Sequence, residues 1–141
     1  MESEDTTGQL AELVLRAARR MRRSQTGRLA PLGLTPAQSR ALRMISREDE
    51  PLRMVDLAER LGVVPRSVTT LVDALEAAGL VRRAPDPANR RSILIVLTDR
   101  GNDLRAELQR ARRQAAEDLF APLTEPQRAT LRELLTALDT G

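Results

Sequence analysis

The feature that most constrains this chain is a pair of short helical patterns joined by a glycine turn. Residues 54–61, MVDLAERL, repeat apolar side chains at helical spacing. Gly62 fits a backbone break after them, and Pro65 can begin the next helix. We expect the apolar stripes of the two helices to face a core: Val55, Leu57, Ala58 and Leu61, then Val68, Leu71, Val72 and Leu75. Two short helices joined by a turn of about three or four residues with a glycine predict a helix-turn-helix.

A basic hairpin pattern follows directly. Residues 80–84 and 92–97 are typical of two short strands, and residues 85–89, PDPAN, are typical of the turn between them. The hairpin carries Arg82, Arg83, Arg90 and Arg91. A helix-turn-helix followed by such a hairpin is the pattern of a winged helix, in which the hairpin is the wing.

Further helical patterns flank this unit on both sides. An amphipathic helix is expected over roughly residues 8–29, and Thr35 is placed to cap a second helix. After the hairpin, Thr98-Asp99 opens a long helix, and Thr124 with Gln127 predicts a capping box for the last one. The sequence therefore predicts a mainly α fold with a β wing.

The residue types that are missing exclude most catalytic chemistries. The 141 residues include no Cys, His, Trp or Tyr and one Phe, and all 23 basic residues are Arg. A thiol nucleophile, an imidazole base and the usual zinc ligands are therefore absent, as is the lysine of Schiff-base chemistry. We expect no enzyme, no metal and no cofactor. A carboxylate-based enzyme is a rival interpretation, but Glu48, Asp49 and Glu50 are typical of a solvated turn.

The sequence also bears on location. No apolar run approaches the roughly 18 residues that a membrane span requires, so we expect no membrane partner. The first dozen residues, MESEDTTGQLAE, are acidic and polar, unlike the basic start and apolar centre of a signal peptide. These features predict a cytoplasmic protein.

Charge is distributed unevenly between the second helix and the hairpin. Residues 64–78 contain Arg66 against Asp73 and Glu76, a net charge of −1, whereas residues 79–92 contain four Arg against one Asp, a net charge of +3. The hairpin is therefore the expected contact with DNA phosphates, and the hydroxyls of the helix have a size suited to base edges in the major groove.

Three segments carry a resemblance to a known family: LTPAQSRALRMI, MVDLAERLGVVPRSVTTLVDALEAAGLV and RRAPDPANRRSILIVLTDRG. In order and spacing they resemble the MarR family of bacterial transcriptional regulators, over nearly the whole chain. The resemblance implies a homodimer that binds a pseudo-palindromic operator in double-stranded DNA, usually as a repressor, and is released by a small organic effector. It implies an N-terminal dimerisation helix (1–34), a winged helix-turn-helix lobe (35–98) and C-terminal helices that complete the dimerisation region (99–141).

The resemblance also assigns site residues. Its recognition-helix contacts fall on Pro65, Arg66, Ser67, Thr69 and Thr70. Its wing motif, Asp-x-Arg before Leu-Thr, here reads Asn89-Arg90-Arg91, so Arg91 matches the wing arginine and Asn89 replaces the acidic residue that braces it. Because an Asn cannot supply a charge-assisted hydrogen bond, Asp86 is the candidate support for the wing.

Several arginines admit a second interpretation. Arg82 and Arg83 are candidates either for DNA contact or for ion pairs with Asp73 or Glu76. The arginines of the first helix form either a solvated or dimer-flanking face or a second DNA-facing patch. The alternative function for the whole chain is a dimeric winged-helix adaptor that binds protein in place of DNA.

Overall fold

The computed structural model describes residues 2–139, with side-chain surroundings from residue 5 onward. Residues 1, 140 and 141, which the predicted terminal segments include, lie outside the described residues. The chain forms two units: Gln25–Arg110, here called the lobe, and Met1–Ser24 with Ala111–Gly141, here called the terminal unit. The two units are described separately.

The predicted mainly α fold with a β wing is confirmed. In chain order the elements are α1 (Glu2–Leu29), a 3-10 turn (Ala30–Leu32), α2 (Pro36–Arg47), β1 (Leu52–Arg53), α3 (Met54–Leu61), α4 (Pro65–Ala77), β2 (Val81–Asp86), β3 (Asn89–Leu97), α5 (Asp99–Phe120) and α6 (Glu125–Leu138).

The helix ends follow their capping chemistry. At α2, the Thr35 hydroxyl accepts a hydrogen bond from the Gln38 amide, and the Gln38 side chain accepts one from the Thr35 amide. Thr124 and Gln127 form the same reciprocal pair at α6, as the sequence predicts. The first helix starts earlier than the expected residue 8, and a hydrogen bond from Gln9 to Asp5 one turn before it supports the extra turn.

Two glycines shape the helix-turn-helix and its exit. Gly62 ends α3 with φ 67°, and Gly79 follows α4 with φ 77°, both in the left-handed region that favours glycine. After Gly79, the Leu80 amide donates to the Leu75 carbonyl at 3.1 Å, which turns the chain directly into β2.

The sheet is antiparallel with the order β1-β3-β2. The hairpin is longer than predicted, since Pro85, Asp86 and Asn89 belong to the strands and only residues 87 and 88 turn. A hydrogen bond from the Ala88 amide to Asp86 Oδ1, at 2.9 Å, closes this short turn. The strand β1 was not predicted, because a segment of two residues is too short to show alternation.

The core of the lobe is aliphatic and lies between α2, α3, α4 and the sheet. Its fully buried members include Leu42, Leu57, Leu75, Leu80, Val68, Val72 and Ile95. Val55, which was expected in the core, is 46% exposed. The inward stripe of α3 runs through Leu57, Ala58 and Leu61, and Val55 lies off that stripe.

The start of α5 is joined tightly to the turn between α4 and β2. The Thr98 hydroxyl donates to the Gly79 carbonyl at 2.6 Å, and the Arg100 guanidinium donates to the Ala78 carbonyl at 2.9 Å. A Cβ atom on Gly101 would clash with the Leu80 carbonyl oxygen. This joint fixes the beginning of the wing to the end of α4.

The terminal unit leaves its apolar side chains largely uncovered. No described residue of α6 is buried. The exposed apolar residues of this unit are Leu10, Leu13, Val14 and Leu15 of α1, and Leu134, Leu135 and Leu138 of α6. In the described part of the chain, no helix combines the length and apolar character needed to cross a membrane.

Candidate nucleic-acid interface

The five predicted contact residues of α4 share one exposed face. Pro65, Arg66, Ser67, Thr69 and Thr70 are all exposed, whereas Val68, Val72 and Leu75 hold the opposite side of the helix in the core. The apolar stripe thus fixes which residues of α4 point outward. The helix that follows the glycine turn presents a guanidinium and three hydroxyls to solvent.

The two threonine hydroxyls are held by the helix itself. Thr69 Oγ1 donates to the Pro65 carbonyl at 3.3 Å, and Thr70 Oγ1 donates to the Arg66 carbonyl at 3.5 Å. A hydroxyl that donates in this way keeps its lone pairs free, and it can accept from an amino group on a base edge.

The tip of the wing presents two exposed arginines without ion pairs among the described residues. Arg90 and Arg91 are both exposed, and no ion pair within the described residues includes either of them. Arg66 on α4 is in the same position. Arg82 at the base of the wing is also exposed and has no ion pair among the described residues, so these four guanidinium groups are the predicted cations that are available to DNA.

The polar residues beside them organise the backbone of the turn. Asn89 Oδ1 accepts from the Arg91 amide at 3.0 Å, and Asp86 Oδ1 accepts from the Ala88 amide. Neither side chain forms an ion pair with the Arg91 guanidinium in the part of the chain that the structure describes. Asp86 therefore stabilises the turn of the wing by accepting the hydrogen bond from the Ala88 amide. Among the described residues it does not hold the Arg91 side chain in place.

Arg83 lies at the base of the wing and is bound to α4. Its Nη2 lies 2.6 Å from Asp73 Oδ1 and donates to the Thr69 carbonyl at 3.4 Å, while its Nη1 lies 3.2 Å from Glu76 Oε1. The Arg83 amide also donates to Glu76 Oε2 at 3.2 Å. Of the two interpretations open for Arg83, the structure shows the ion pairs. This side chain holds β2 along the Asp73 and Glu76 side of α4.

A second arginine links the sheet to the helices, and sequence reasoning missed it. Arg53 in β1 pairs with Leu94 of the wing strand β3 and directs its guanidinium at Asp56 in the first turn of α3, with Nη2 2.9 Å from Oδ1. The hydrogen bond from Arg53 holds the pKa of Asp56 below its ordinary value, and the same bond raises the pKa of Arg53. The spacing of an Arg three residues before an Asp at a helix start is the signal that could have revealed this pair.

The terminal unit contains a separate feature. A cavity of about 710 Å³ lies against α5 and α6, lined by Phe120, Leu131, Leu135 and Leu138, with Arg128 and Arg132 among its polar residues. Within the described residues, no group of three or more acidic side chains could hold a metal ion.

Comparisons with known proteins find relatives along most of the chain. A family model described as MarR family matches residues 32–92. The HTH-type transcriptional repressor Rv2887 of Mycobacterium tuberculosis is 33% identical over 131 residues, which cover 93% of this chain and 94% of that protein. The HTH-type transcriptional repressor MdtR of Bacillus subtilis is 33% identical over 93 residues, which cover 66% of this chain and 59% of that protein.

Solved structures agree in fold along most of the chain. The crystal structure of RV1404 from Mycobacterium tuberculosis matches with a TM-score of 0.73 and 30% identity, covering 93% of this chain and 91% of that one. Wild-type MarR in its apo form from E. coli matches with a TM-score of 0.66 and 28% identity, covering 92% and 96%.

Proposed function

The chain belongs to the MarR family, and from this premise we propose that it is a sequence-specific DNA-binding transcriptional repressor. One observation carries the proposal: the ion pair of Arg83 with Asp73 holds the wing beside α4, whose exposed face is rich in hydroxyls. The arginines at the tip of that wing have no ion pair within the described residues. The tip arginines neutralise phosphates, and Arg66, Ser67, Thr69 and Thr70 read base edges in the major groove. Such a protein acts in the bacterial cytoplasm, at the nucleoid when it is bound to DNA.

We infer that the chain is not an enzyme, and direct binding to DNA tests the proposed function. Duplexes are selected from fragmented genomic DNA by the full chain, and the affinity of one selected duplex is then measured by fluorescence anisotropy at several salt concentrations. We expect tight binding to this duplex and weaker binding to a scrambled one, with affinity falling as salt rises. If no duplex binds even at low salt, the protein-binding adaptor becomes the better interpretation.

We propose that the repressor is a homodimer joined through its terminal helices. The support is the uncovered apolar surface of the terminal unit, where Leu134 and Leu138 of α6 are 61% and 76% exposed. Apolar surface left open in one copy is typical of an interface. A twofold dimer would place two α4 helices in successive major grooves, about 34–36 Å apart.

Sedimentation of the full chain tests the dimer. We expect a mass of two copies for the wild type and of one copy after Leu134→Asp with Leu138→Asp. The circular dichroism spectrum of the variant chain should remain helical. A wild-type protein that sediments as a single copy at micromolar concentration contradicts the proposal.

We further propose that a small organic molecule releases the repressor from DNA. The chain has no Cys and no His, so neither a thiol switch nor an imidazole titration can deliver the signal. The cavity of about 710 Å³ in the terminal unit has the size of a small-molecule site, and its leucines, with Arg132 and the carboxylates Glu117 and Asp139 at its polar positions, suit an apolar body that carries polar groups. Release of a bound duplex by a small organic molecule of this kind, reduced by Leu135→Asp, is the expected result.

A further inference from the structure

Helix α4, the proposed recognition helix, lacks at its start the side-chain hydrogen bonds that α2 and α3 have at theirs. The Thr35 hydroxyl caps α2, and Asp56 in the first turn of α3 accepts a hydrogen bond from the Arg53 amide. At α4 the capping position is held by Val64, which makes no side-chain hydrogen bond to the helix. A valine has no oxygen to accept from the free amides of a first turn, so this start is less stable than one capped by Ser, Thr, Asp or Asn.

Val64 is also poorly placed for packing. Its side chain is 64% exposed, more than any other large apolar residue of the lobe whose exposure the structure describes. It therefore contributes no side-chain cap and little buried surface. A residue that is unfavourable at a capping position and that stabilises the fold in no other evident way is a candidate for a functional role.

The neighbours of Val64 define what that role can be. Pro65 fixes the start of α4, and the exposed positions after it carry a guanidinium and hydroxyls, which pair with polar atoms of base edges. The major groove presents one apolar group, the 5-methyl group of thymine, and apolar side chains contact it. The first residues of a recognition helix are the ones that reach base edges.

We propose that Val64 contacts a thymine methyl group and thereby determines one base of each operator half-site. The inference rests on the proposed DNA-binding function and adds an apolar contact to the polar ones. The valine at the capping position thus exchanges some helix stability for discrimination between thymine and the other pyrimidine, cytosine, which carries no methyl group.

A thymine scan tests the contact. The probe is a duplex selected by the wild-type protein from a random-sequence pool, and each thymine is replaced in turn by deoxyuridine, which differs only by the loss of the 5-methyl group. At one symmetric pair of positions, we expect the wild-type affinity to fall about fourfold per half-site, the equivalent of about 0.8 kcal/mol for one buried methyl group. Val64→Ser should bind the thymine and deoxyuridine duplexes equally at that pair.

Two further readouts separate this role from a structural one. Val64→Ser supplies a capping oxygen, so its Tm should rise by about 2–6 °C while its thymine preference disappears. Val64→Ile should keep the preference. The matched control is Val55→Ser, an exposed valine on α3, which should leave the whole scan unchanged.

The outcomes are distinct. If Val64→Ser retains the wild-type response to deoxyuridine at every position, or if the wild type responds at none, the inference is wrong while the proposed function stands. If the wild type selects no duplex from the pool, the proposed function fails first and the inference falls with it.

Discussion

The wing carries two arginine pairs, Arg82 and Arg83 at its base and Arg90 and Arg91 at its tip, and Arg83 alone among these four is held by ion pairs within the described residues. Arg83 at the base is 25% exposed and bound to two carboxylates and a carbonyl of α4. Arg90 and Arg91 at the tip are exposed and form no ion pair among the described residues. Both pairs read alike in the sequence, so residue type alone does not assign their roles.

The register of the sheet explains the difference. Arg83 lies opposite Ile95, which is buried, so its side chain starts on the sheet face that packs against the helices. A guanidinium on that face needs acceptors, and Asp73 and Glu76 on α4 provide them. Arg90 and Arg91 lie where the pairing of β2 and β3 is irregular, between the pairs Asp86–Asn89 and Pro85–Ile93, and both side chains are exposed, so they have no such requirement. The base therefore positions the wing, and the tip is the part that we propose to contact DNA.

The largest expected effect comes from breaking the base of the wing. Gly101→Ala places a Cβ against the Leu80 carbonyl, where the backbone of the wing strand begins. Because backbone must move to admit the new atom, we expect a loss of about 3 kcal/mol in the free energy of unfolding, measured by urea denaturation. The matched control is Gly27→Ala in α1, where the added atom meets nothing within 4 Å. A Gly101→Ala protein as stable as the wild type would contradict the described joint.

The next effect comes from removing the tip. Arg90→Ala with Arg91→Ala should weaken binding to specific and scrambled duplexes alike, by about 100-fold at physiological salt. The slope of log affinity against log salt should become shallower by up to about 3.6 for a dimer that loses four phosphate contacts. Thr70→Ala is the comparison variant, expected to weaken mainly the specific duplex with an unchanged slope. Equal losses and equal slopes in the two variants would remove the distinction between wing and helix.

A smaller effect, with a different signature, is expected at Arg83. Arg83→Ala should reduce affinity about tenfold, since Asp73 and Glu76 lose their partner beside the DNA-binding face. Because Arg83 is not assigned to phosphate, the salt slope should stay as in the wild type. The triple variant with Asp73→Asn and Glu76→Gln should recover most of the loss, because the unpaired carboxylates are removed too. A shallower slope in Arg83→Ala without recovery in the triple variant would instead identify a phosphate contact.

Features set by residues close together in the chain could be predicted from the sequence, whereas contacts between residues far apart in the chain could not. Signals that are local in the chain predicted their features correctly: Thr35 and Thr124 cap helices, and Gly62 ends α3. The two carboxylate partners of Arg83 lie 7 and 10 residues away along the chain, and their contact with Arg83 depends on strand register. Composition left it open whether that arginine faced DNA or α4, and only the register decides.

The exposed Val64 was missed for a related reason. Periodicity identifies the buried stripe of a helix, but a residue just before the helix lies outside the period. Its exposure becomes informative only when the start of α4 is compared with the starts of α2 and α3, where the Thr35 hydroxyl caps one helix and Asp56 accepts from the Arg53 amide in the other. Likewise Arg53 belongs to a strand of two residues, which no alternation can reveal.

The smallest expected effect concerns Arg53 of β1, beside the wing strand β3, and is measured through pH. Arg53 donates from Nε to Asp56 Oδ2 at 3.0 Å and from Nη2 to Asp56 Oδ1, which lowers the pKa of Asp56. A carboxylate with a lowered pKa contributes stability above its unfolded value, near pH 4, and loses it as the pH falls through the folded value. At pH 7, Asp56→Asn should therefore lower Tm by about 2 °C, since Arg53 is exposed and Asp56 is half-buried, which screens the pair in part, and at pH 2 the two proteins should melt together. Asp103→Asn, which removes an exposed carboxylate with no ion pair among the described residues, should show no such convergence. A constant difference in Tm between wild type and Asp56→Asn from pH 7 to pH 2 would mean that Arg53 holds the wing base without help from the charge of Asp56.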